Sequence, residues 1–379
     1  MNEADPKIAT WSPEPLTPEI RQSLRRLAKS VDVVRIAVMP DIHMAGDVCN
    51  GVAVATKELI YPQAIGADIG CGMLAIAVDL PARALSDQKP AARVLTEMTK
   101  RIPSLKHDGA QPLPELAGPL VQQPLSTSSL HKLKQRDGRW QLGTLGRGNH
   151  FVELQSDMDG RLWLMIHSGS RGMGQQITSH HLQGAKLSDT GLKFLDGNSA
   201  EGQSYLSDLN WAIAYASENR LAMAKTTDLL MRELFGMGLD WSTLIHCHHN
   251  HVQREAFANH EYWVHRKGAL FAADQTPGVI PGSMGQRSYH VTGRGVDAAL
   301  RSSSHGAGRA IPRVAARRQI SKRSLQQQME GVWFDHRREN QLLDEAPAAY
   351  KDIGRVMRAQ RDLTRITREL TPVLVYKGH

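Results

Sequence analysis

Two residues able to hold a metal ion sit close together in the run GADIGCGM. They are Asp68 and Cys71, flanked by Gly66, Gly70 and Gly72. Glycine lets the backbone bend sharply, so the carboxylate and the thiol can converge on one point. A thiolate beside a carboxylate suits borderline cations such as Zn²⁺, Mn²⁺ or Co²⁺. Alone, the pair also fits a plainer description, a buried structural cysteine beside a capping aspartate. The histidines downstream change that weighing.

Four stretches set a histidine in an unusual local context. GRGNHF places His150 just before an apolar run, and IHSGSRG places His167 at the end of another. HCHHNH is a knot holding His246, His248, His249 and His251, and SSSHGAGR puts His305 in a small-residue loop that ends in Arg309. Singly, a histidine at a strand end is often only a hydrogen-bonded boundary residue. Strand alternation also lets only part of a histidine knot share one face. Together they supply one sulfur, one carboxylate and several imidazoles at strand-to-turn boundaries. That is enough for two adjacent metal sites with a shared sulfur.

The SSSHGAGR loop carries a second chemistry. Backbone N–H groups of Gly306, Ala307 and Gly308, with Arg309, would form a phosphate cradle. His305 beside that phosphate could attack phosphorus and form a covalent phosphoramidate. Arg171, after the HSGS turn, is a second candidate phosphate ligand. Pro281-Gly282-Ser283-Met284-Gly285 could line a nucleotide pocket, and its plainer reading is a simple turn.

The elements that must position these residues are mostly short strands. Alternation from Met73 to Val78 predicts the strand that carries the DIGC bend. Val33–Met39, Val52–Ile60, Phe151–Gln155, Leu162–Ile166, Leu244–His246, Tyr262–Val264 and Tyr289–Val291 also read as strands. Thr17-Pro18-Glu19 opens a helix after a polar lead, Met1 to Pro15, with Thr as N-cap and Pro at the first helical position. Further helices are expected over Ser86–Ile102, from Gly172 towards Leu187, over Ser207–Phe235 with Gly236 as its stop, over Ser321–Met329 and over Ala346–Leu370. Gly278–Gly285 reads as a turn-rich loop. Residues 103–141, with prolines at 103, 112, 114, 119 and 124, read as a long irregular loop or lid. Site-like motifs on both sides of it argue for one domain over residues 1–379. The expected class is α+β, with mixed, largely antiparallel sheets around a central metal cleft and helices outside.

Composition sets outer bounds. The 379 residues are 41% hydrophobic and 22% charged, an ordinary globular balance with room for a large core. No apolar run nears the roughly 18 residues of a membrane span. Three scattered cysteines do not make a disulfide framework, which points to a reducing cytoplasm. The formal charge of +8 is concentrated after residue 300, in Arg309, Arg313, Arg317, Arg318, Lys322 and Arg323. Such a stretch suits a polyanion, or is a solvated helix face. With 5% aromatics, a stacking-based single-strand binder is disfavoured.

In order, the strings MPDIH, GADIGCGM, LGTLGRGNHFVE, HSGSRGMG, HHN, RKGA, IPGSMG, SSSHGAGR, DEAPAAYKDI and the terminal YKG resemble the RtcB family of RNA ligases. They run from Met39 to Gly378. The resemblance implies a ligase that joins an RNA 3′-phosphate or 2′,3′-cyclic phosphate to a 5′-hydroxyl, using GTP and two Mn²⁺ ions. Matched motif by motif, it implies metal ligation by Asp68, Cys71, His150, His167 and His249, with Cys71 bridging. It implies that His305 takes GMP from GTP. The implied guanylate pocket is Asn149, Glu153, Asn250, Ser283, Ser288, the His305–Gly308 loop and Lys377. Arg171 and Arg309 would hold phosphates, and Tyr350 would lie near the base. Some family members need an activating protein partner.

Departures from the pattern are MAGDVCNG after MPDIH, Arg147 in the GNH loop, His265 before RKGA, and His379 at the end. None removes a ligand or the nucleophile. Two other functions share these residues: a metal-dependent cyclic phosphodiesterase that does not ligate, and a non-catalytic RNA-binding paralogue. His305 separates them, because hydrolysis needs the metals but no guanylated histidine.

Overall fold

The computed structural model describes residues 7–109 and 113–378; Met1–Pro6 of the polar lead, Pro112 and His379 lie outside them. Two sheets dominate. The larger has seven strands in the order Leu239–His248, Gly72–Pro81, Arg161–Ser168, Phe151–Asp157, Thr364–Lys377, Ser288–Gly293, Pro277–Ile280. All its pairings are antiparallel. It curls until its two edge strands touch, so that Met73, Phe151, Val279 and Cys247 share one small core. The second sheet runs Ile8–Thr10, Val33–His43, Asn50–Thr56, His260–Lys267, Asn250–Phe257. Only its first pair is parallel. The α+β class with largely antiparallel sheets is therefore the observed one.

Helices pack outside the sheets. The helix Pro18–Ala28 starts where expected, with Thr17 as N-cap accepting from the Ile20 N–H. The longest helix, Ala200–Phe235, begins earlier than its apolar pattern, capped by Ser199, and stops at Gly236 in the left-handed region. It touches the DIGC bend directly. Gly70 has φ +69°, and a Cβ there would stand 2.8 Å from the Ile213 Cα of this helix. Only glycine permits both the bend and the contact.

The buried face of that helix is not purely apolar. Asp208 takes the Ser126 backbone N–H at 2.8 Å and His181 Nε2 at 2.8 Å, which ties segment 103–141 to the helix. That segment holds short helical turns at Gly118–Gln122, Ser128–Leu133 and Arg139–Gln141. Its Leu120, Leu125 and Leu130 bury against Tyr205, Leu209 and Trp211. Each such aliphatic side chain contributes roughly 1.5–3 kcal/mol when fully buried.

Three expectations are corrected. The Ala346–Leu370 helix is a short helix, Ile353–Ala359, followed by the strand Thr364–Lys377. The β-branched Thr364, Ile366, Thr367, Thr371, Val373 and Val375 favour the pleated conformation, and Pro372 sits at a register shift where no ladder N–H is needed. The loop at Gly278–Gly285 is in part the edge strand Pro277–Ile280. The single strand over Val52–Ile60 is two, Asn50–Thr56 and Leu59–Ile60.

Candidate active site

Cys71 stands at the start of the strand Gly72–Pro81, and its neighbours on the sheet bring the histidines to it. Met73 pairs with His167 and with Cys247, and His167 pairs with Phe151. The HCHHN run turns at its end, where the His249 N–H donates to the Cys71 carbonyl at 2.9 Å. Cys71 Sγ is 3.5 Å from His150 Nε2 and 3.2 Å from His167 Nε2. His167 Nε2 is 3.3 Å from His249 Nε2, and His150 Nε2 is 3.0 Å from Asp68 Oδ2. Two overlapping groups result, Asp68–Cys71–His150 and Cys71–His167–His249. They share the sulfur, so the five residues expected as metal ligands are all in one place.

The donor set fits a metal. His150 Nδ1 lies 3.0 Å from the Leu145 carbonyl and His167 Nδ1 lies 3.2 Å from that of Asn149. Those contacts put the ring protons on Nδ1 and leave Nε2 free to coordinate. Burial first, then His150, push His167 well below the ordinary imidazole range. Burial and then His305 do the same to His249. Both rings are therefore neutral, as ligation requires. Burial and then Asp68 push the Cys71 thiol well above its ordinary value; a divalent cation would supply the opposing charge.

Arg220 of the long helix holds this cluster in shape. It is fully buried, donating to His246 Nε2 at 2.8 Å, His248 Nδ1 at 2.9 Å, the Gly70 carbonyl at 2.9 Å and the Ser168 carbonyl at 2.6 Å. His246 and His248 thus serve the guanidinium, and only His249 of that trio reaches the cluster. Asn219, one residue earlier, accepts from the Gly143 and Thr144 N–H groups at 2.7 and 3.1 Å and donates to Ser168 Oγ at 3.1 Å.

His305 adjoins the cluster, its ring centroid 4.7 Å from that of His249. Asp41, from MPDIH, lies beneath it. The His305 N–H donates to Asp41 Oδ2 at 3.2 Å, and His305 Nδ1 is 2.7 Å from the same oxygen. That second contact is close but off hydrogen-bond alignment. Gly308, at φ +71°, packs so tightly on the Asp41 backbone that a Cβ would collide with its carbonyl.

A cavity of about 810 Å³ opens at His305. Of the residues expected around a nucleotide, it is lined by Asn149, Glu153, Pro281, Gly282, Ser283, Met284, Gly306, Ala307, Gly308, Arg309, Tyr350 and Lys377. Three expected residues stand behind it. Asn250 accepts from the Gly268 N–H at 2.8 Å and donates to the Asp68 carbonyl at 3.0 Å. Ser288 Oγ accepts from the Gly282 N–H at 3.2 Å and from Gln155 Nε2 at 3.0 Å. Arg171 lies behind His150, 3.4 Å from its Nδ1, with Nε donating to Thr144 Oγ1 at 3.3 Å.

Two carboxylates on the cavity side are buried in opposite ways. Burial pushes Glu153 up to about 8, while Gln155 and Lys377 pull it down. Burial also works to raise Glu345, but Lys377, then Arg313, hold it below the usual carboxylate range. Glu345 takes Lys377 Nζ, Arg313, Arg309 at 3.3 Å and the Tyr350 hydroxyl at 2.7 Å. It fixes the expected nucleotide residues Arg309, Tyr350 and Lys377 at once. Asp41 and Glu345 were within the strings MPDIH and DEAPAAYKDI but carried no assigned role. Arg220 had no signal at all, being one arginine in a helical pattern.

The profile of the family described as "tRNA-splicing ligase RtcB" matches residues 23–117 and 121–378. The chain belongs to the RtcB family. It is 34% identical over 392 residues to the RNA-splicing ligase RtcB1 of one Escherichia coli strain, covering 96% of this chain and 95% of that protein. It is 34% identical over 395 residues to the RNA-splicing ligase RtcB of Escherichia coli K12, with the same coverage. It is 28% identical over 431 residues to the tRNA-splicing ligase RtcB of Archaeoglobus fulgidus, covering 90% of this chain and 87% of that one. In this RtcB-family chain the profile match begins at residue 23, so the part of the cavity wall formed by Ser12 to Ile20 lies ahead of it.

Proposed function

We propose that this RtcB-family chain is an RNA ligase of RNA repair or tRNA splicing. It joins an RNA 3′-phosphate, or a 2′,3′-cyclic phosphate, to a 5′-hydroxyl, with GTP and two Mn²⁺ ions. The observation that carries the reading is the seat of His305, against His249 of the cluster and on the cavity that Glu153 and Lys377 also line. Residues 1–379 act as one ligase domain, because both large sheets contribute to that cavity. No helix among the described residues is long and apolar enough to cross a membrane. Three free cysteines fit a reducing compartment such as the cytoplasm.

Asp68, Cys71, His150, His167 and His249 would hold the metal, which when bound neutralises phosphate charge and favours in-line attack. Asp41 at Nδ1 leaves His305 Nε2 as the nucleophile and stabilises the positive charge that grows on the ring. Nε2 bonds to the α-phosphorus of GTP as the bond to pyrophosphate breaks. A cyclic end is first opened by water, whose oxygen bonds to phosphorus as the P–O2′ bond breaks and the 2′-oxygen takes the proton; the RNA 3′-phosphate then takes the GMP, breaking the N–P bond. The 5′-hydroxyl attacks the activated 3′-phosphorus, gives up its proton, and GMP leaves. The Gly306–Gly308 loop and Arg309 receive phosphate oxygens, while Asn149, Glu153, Ser283 and Lys377 hold the guanylate.

The test is covalent labelling by GTP radiolabelled at the α-phosphate, followed by sealing of a broken stem-loop RNA with defined ends. His305→Ala is expected to lose labelling and keep the metal; a labelled variant would remove His305 from the mechanism. Cys71→Ala is expected to lose metal and ligation together. Opening of a cyclic phosphate with no sealing would favour the phosphodiesterase instead.

A further inference from the structure

One proton in the ligase reading has no destination. Guanylylation releases none, because a neutral His305 ring attacks through Nε2 and keeps its other proton beside Asp41. Opening a cyclic end hands the water's proton to the 2′-oxygen. Transfer of GMP from His305 to the RNA 3′-phosphate frees none either. Sealing does: the 5′-hydroxyl loses its proton as its oxygen bonds to phosphorus, and GMP departs as a phosphate anion. A base within reach of that hydroxyl contributes about 10²–10⁴-fold to such a step.

The cavity holds an imidazole to which the ligase reading gives no task. His43, the last residue of the strand Val33–His43, lines it half-buried. Its ring lies 6.4 Å from that of His305, the two planes 21° apart. Nδ1 donates to the Asp41 carbonyl at 2.8 Å. A carbonyl only accepts, so that contact fixes the proton on Nδ1 and leaves a lone pair on Nε2. Among the described residues, Asn50 Nδ2 approaches that lone pair, at 3.4 Å, too long for a strong hydrogen bond. Burial pushes the ring down to about 4, with His305 and Lys351 adding to the fall and Asp41 opposing it. It is unprotonated at ordinary pH.

The other titratable groups around the cavity are engaged or out of place. Glu153, pushed up to about 8, keeps its proton at neutral pH. Asp41 serves His305, and His167 belongs to the metal cluster. Glu14 pairs with Arg355 at 3.5 Å, Glu19 stands in the first turn of the helix Pro18–Ala28, and both are exposed. Lys351 Nζ donates to the Pro40 and Ile42 carbonyls at 3.0 and 2.6 Å, which anchors the strand end that carries His43.

We propose that His43 is a second catalytic residue, whose Nε2 takes the proton of the 5′-hydroxyl as that oxygen attacks the activated 3′-phosphorus. The O–P bond forms, the bond to GMP breaks, and the imidazolium then returns the proton to water. The inference rests on the ligase reading. It gives the two histidines separate steps, His305 the activation and His43 the sealing.

The experiment isolates the sealing step. Wild-type protein first makes RNA whose 3′-phosphate carries GMP, with no 5′-hydroxyl strand present; its formation tests the ligase reading separately. Sealing of that purified RNA to a 5′-hydroxyl strand is then timed in a single turnover. His43→Ala and His43→Asn are expected to seal about 10²-fold more slowly, while labelling of His305 by GTP keeps its wild-type rate. The Asn amide can still donate to the Asp41 carbonyl but has no basic nitrogen. Added imidazole is expected to speed sealing by His43→Ala about tenfold, and pyrazole, of the same shape but a far weaker base, to leave it unchanged. Wild-type sealing by His43→Asn overturns the proposal, since the ring would then only position its neighbours. Labelling slowed in step with sealing also overturns it, making His43 a support for His305. So does a His43→Ala protein that ignores imidazole, which would leave the proton to the metal centre.

Discussion

The two sides of His305 bury ionisable groups by opposite means. On the cluster side, His167 and His249 are buried neutral and Cys71 is pushed towards the thiol. Their free atoms face one another at 3.2–3.3 Å. On the Glu345 side the charges are kept and paired, one buried carboxylate with a lysine, two arginines and a tyrosine. The second arrangement is electrostatically complete. In the first, the Asp68 carboxylate, held below its usual range by His150 against burial, meets neutral imidazoles and a thiol, and a cation would supply the charge that the group lacks. One side is thus built to respond to a ligand and the other to stay still.

The largest expected effect breaks the rigid side. Glu345→Gln leaves Lys377 and Arg309 without their carboxylate partner, while Arg313 keeps Asp344 at 2.8 Å, and breaking a buried pair costs about 3–5 kcal/mol. Denaturant unfolding should show that loss, while the rise in thermal midpoint on adding Mn²⁺ should persist. If the Mn²⁺ shift vanished as well, the two sides would be one coupled unit. A smaller effect targets the responsive side. Arg220→Lys puts a compact ammonium where a fork reaches two carbonyls and two imidazoles. Loss of such support typically weakens metal affinity by about 10–100-fold, readable by titrating the metal, with the Glu345 side unaltered. The smallest is Ser288→Ala. It removes the hydroxyl that takes the Gly282 N–H and Gln155, at about 1 kcal/mol, and should loosen GTP binding more than metal binding.

Much of the site was readable before any fold was known. Asp68, Cys71, His150, His167 and His305 each stand in a short run of glycine and small polar residues, which marks a chain approaching a ligand closely, and His249 stands in the histidine knot HCHHNH. Gly72–Pro81 was readable from alternation, Val33–His43 from an apolar run and Thr17-Pro18 from capping chemistry, while Ile8–Thr10 lies in what reads as a polar lead. Thr364–Lys377 was not, because its apolar residues also fit a helical spacing and only its β-branched residues favour a strand. Asn250, Ser288 and Arg171 were expected around a nucleotide and stand behind the cavity wall. A motif shows that a residue is near the site, not which way its side chain points.

What the sequence determined by itself is the chemistry on offer: a thiol, a carboxylate, imidazoles and a phosphate cradle, each in its own bend. Bends and donors are local properties, set by residue type within a few positions. What only the tertiary structure decided is their meeting and their partners. Arg220 choosing His246 and His248 so that His249 is left for Cys71, Asp41 lying under His305, and Glu345 joining four cavity residues are contacts that the fold decides. They follow from the register of the sheets and the seat of the long helix, which are set by the packing of the whole molecule.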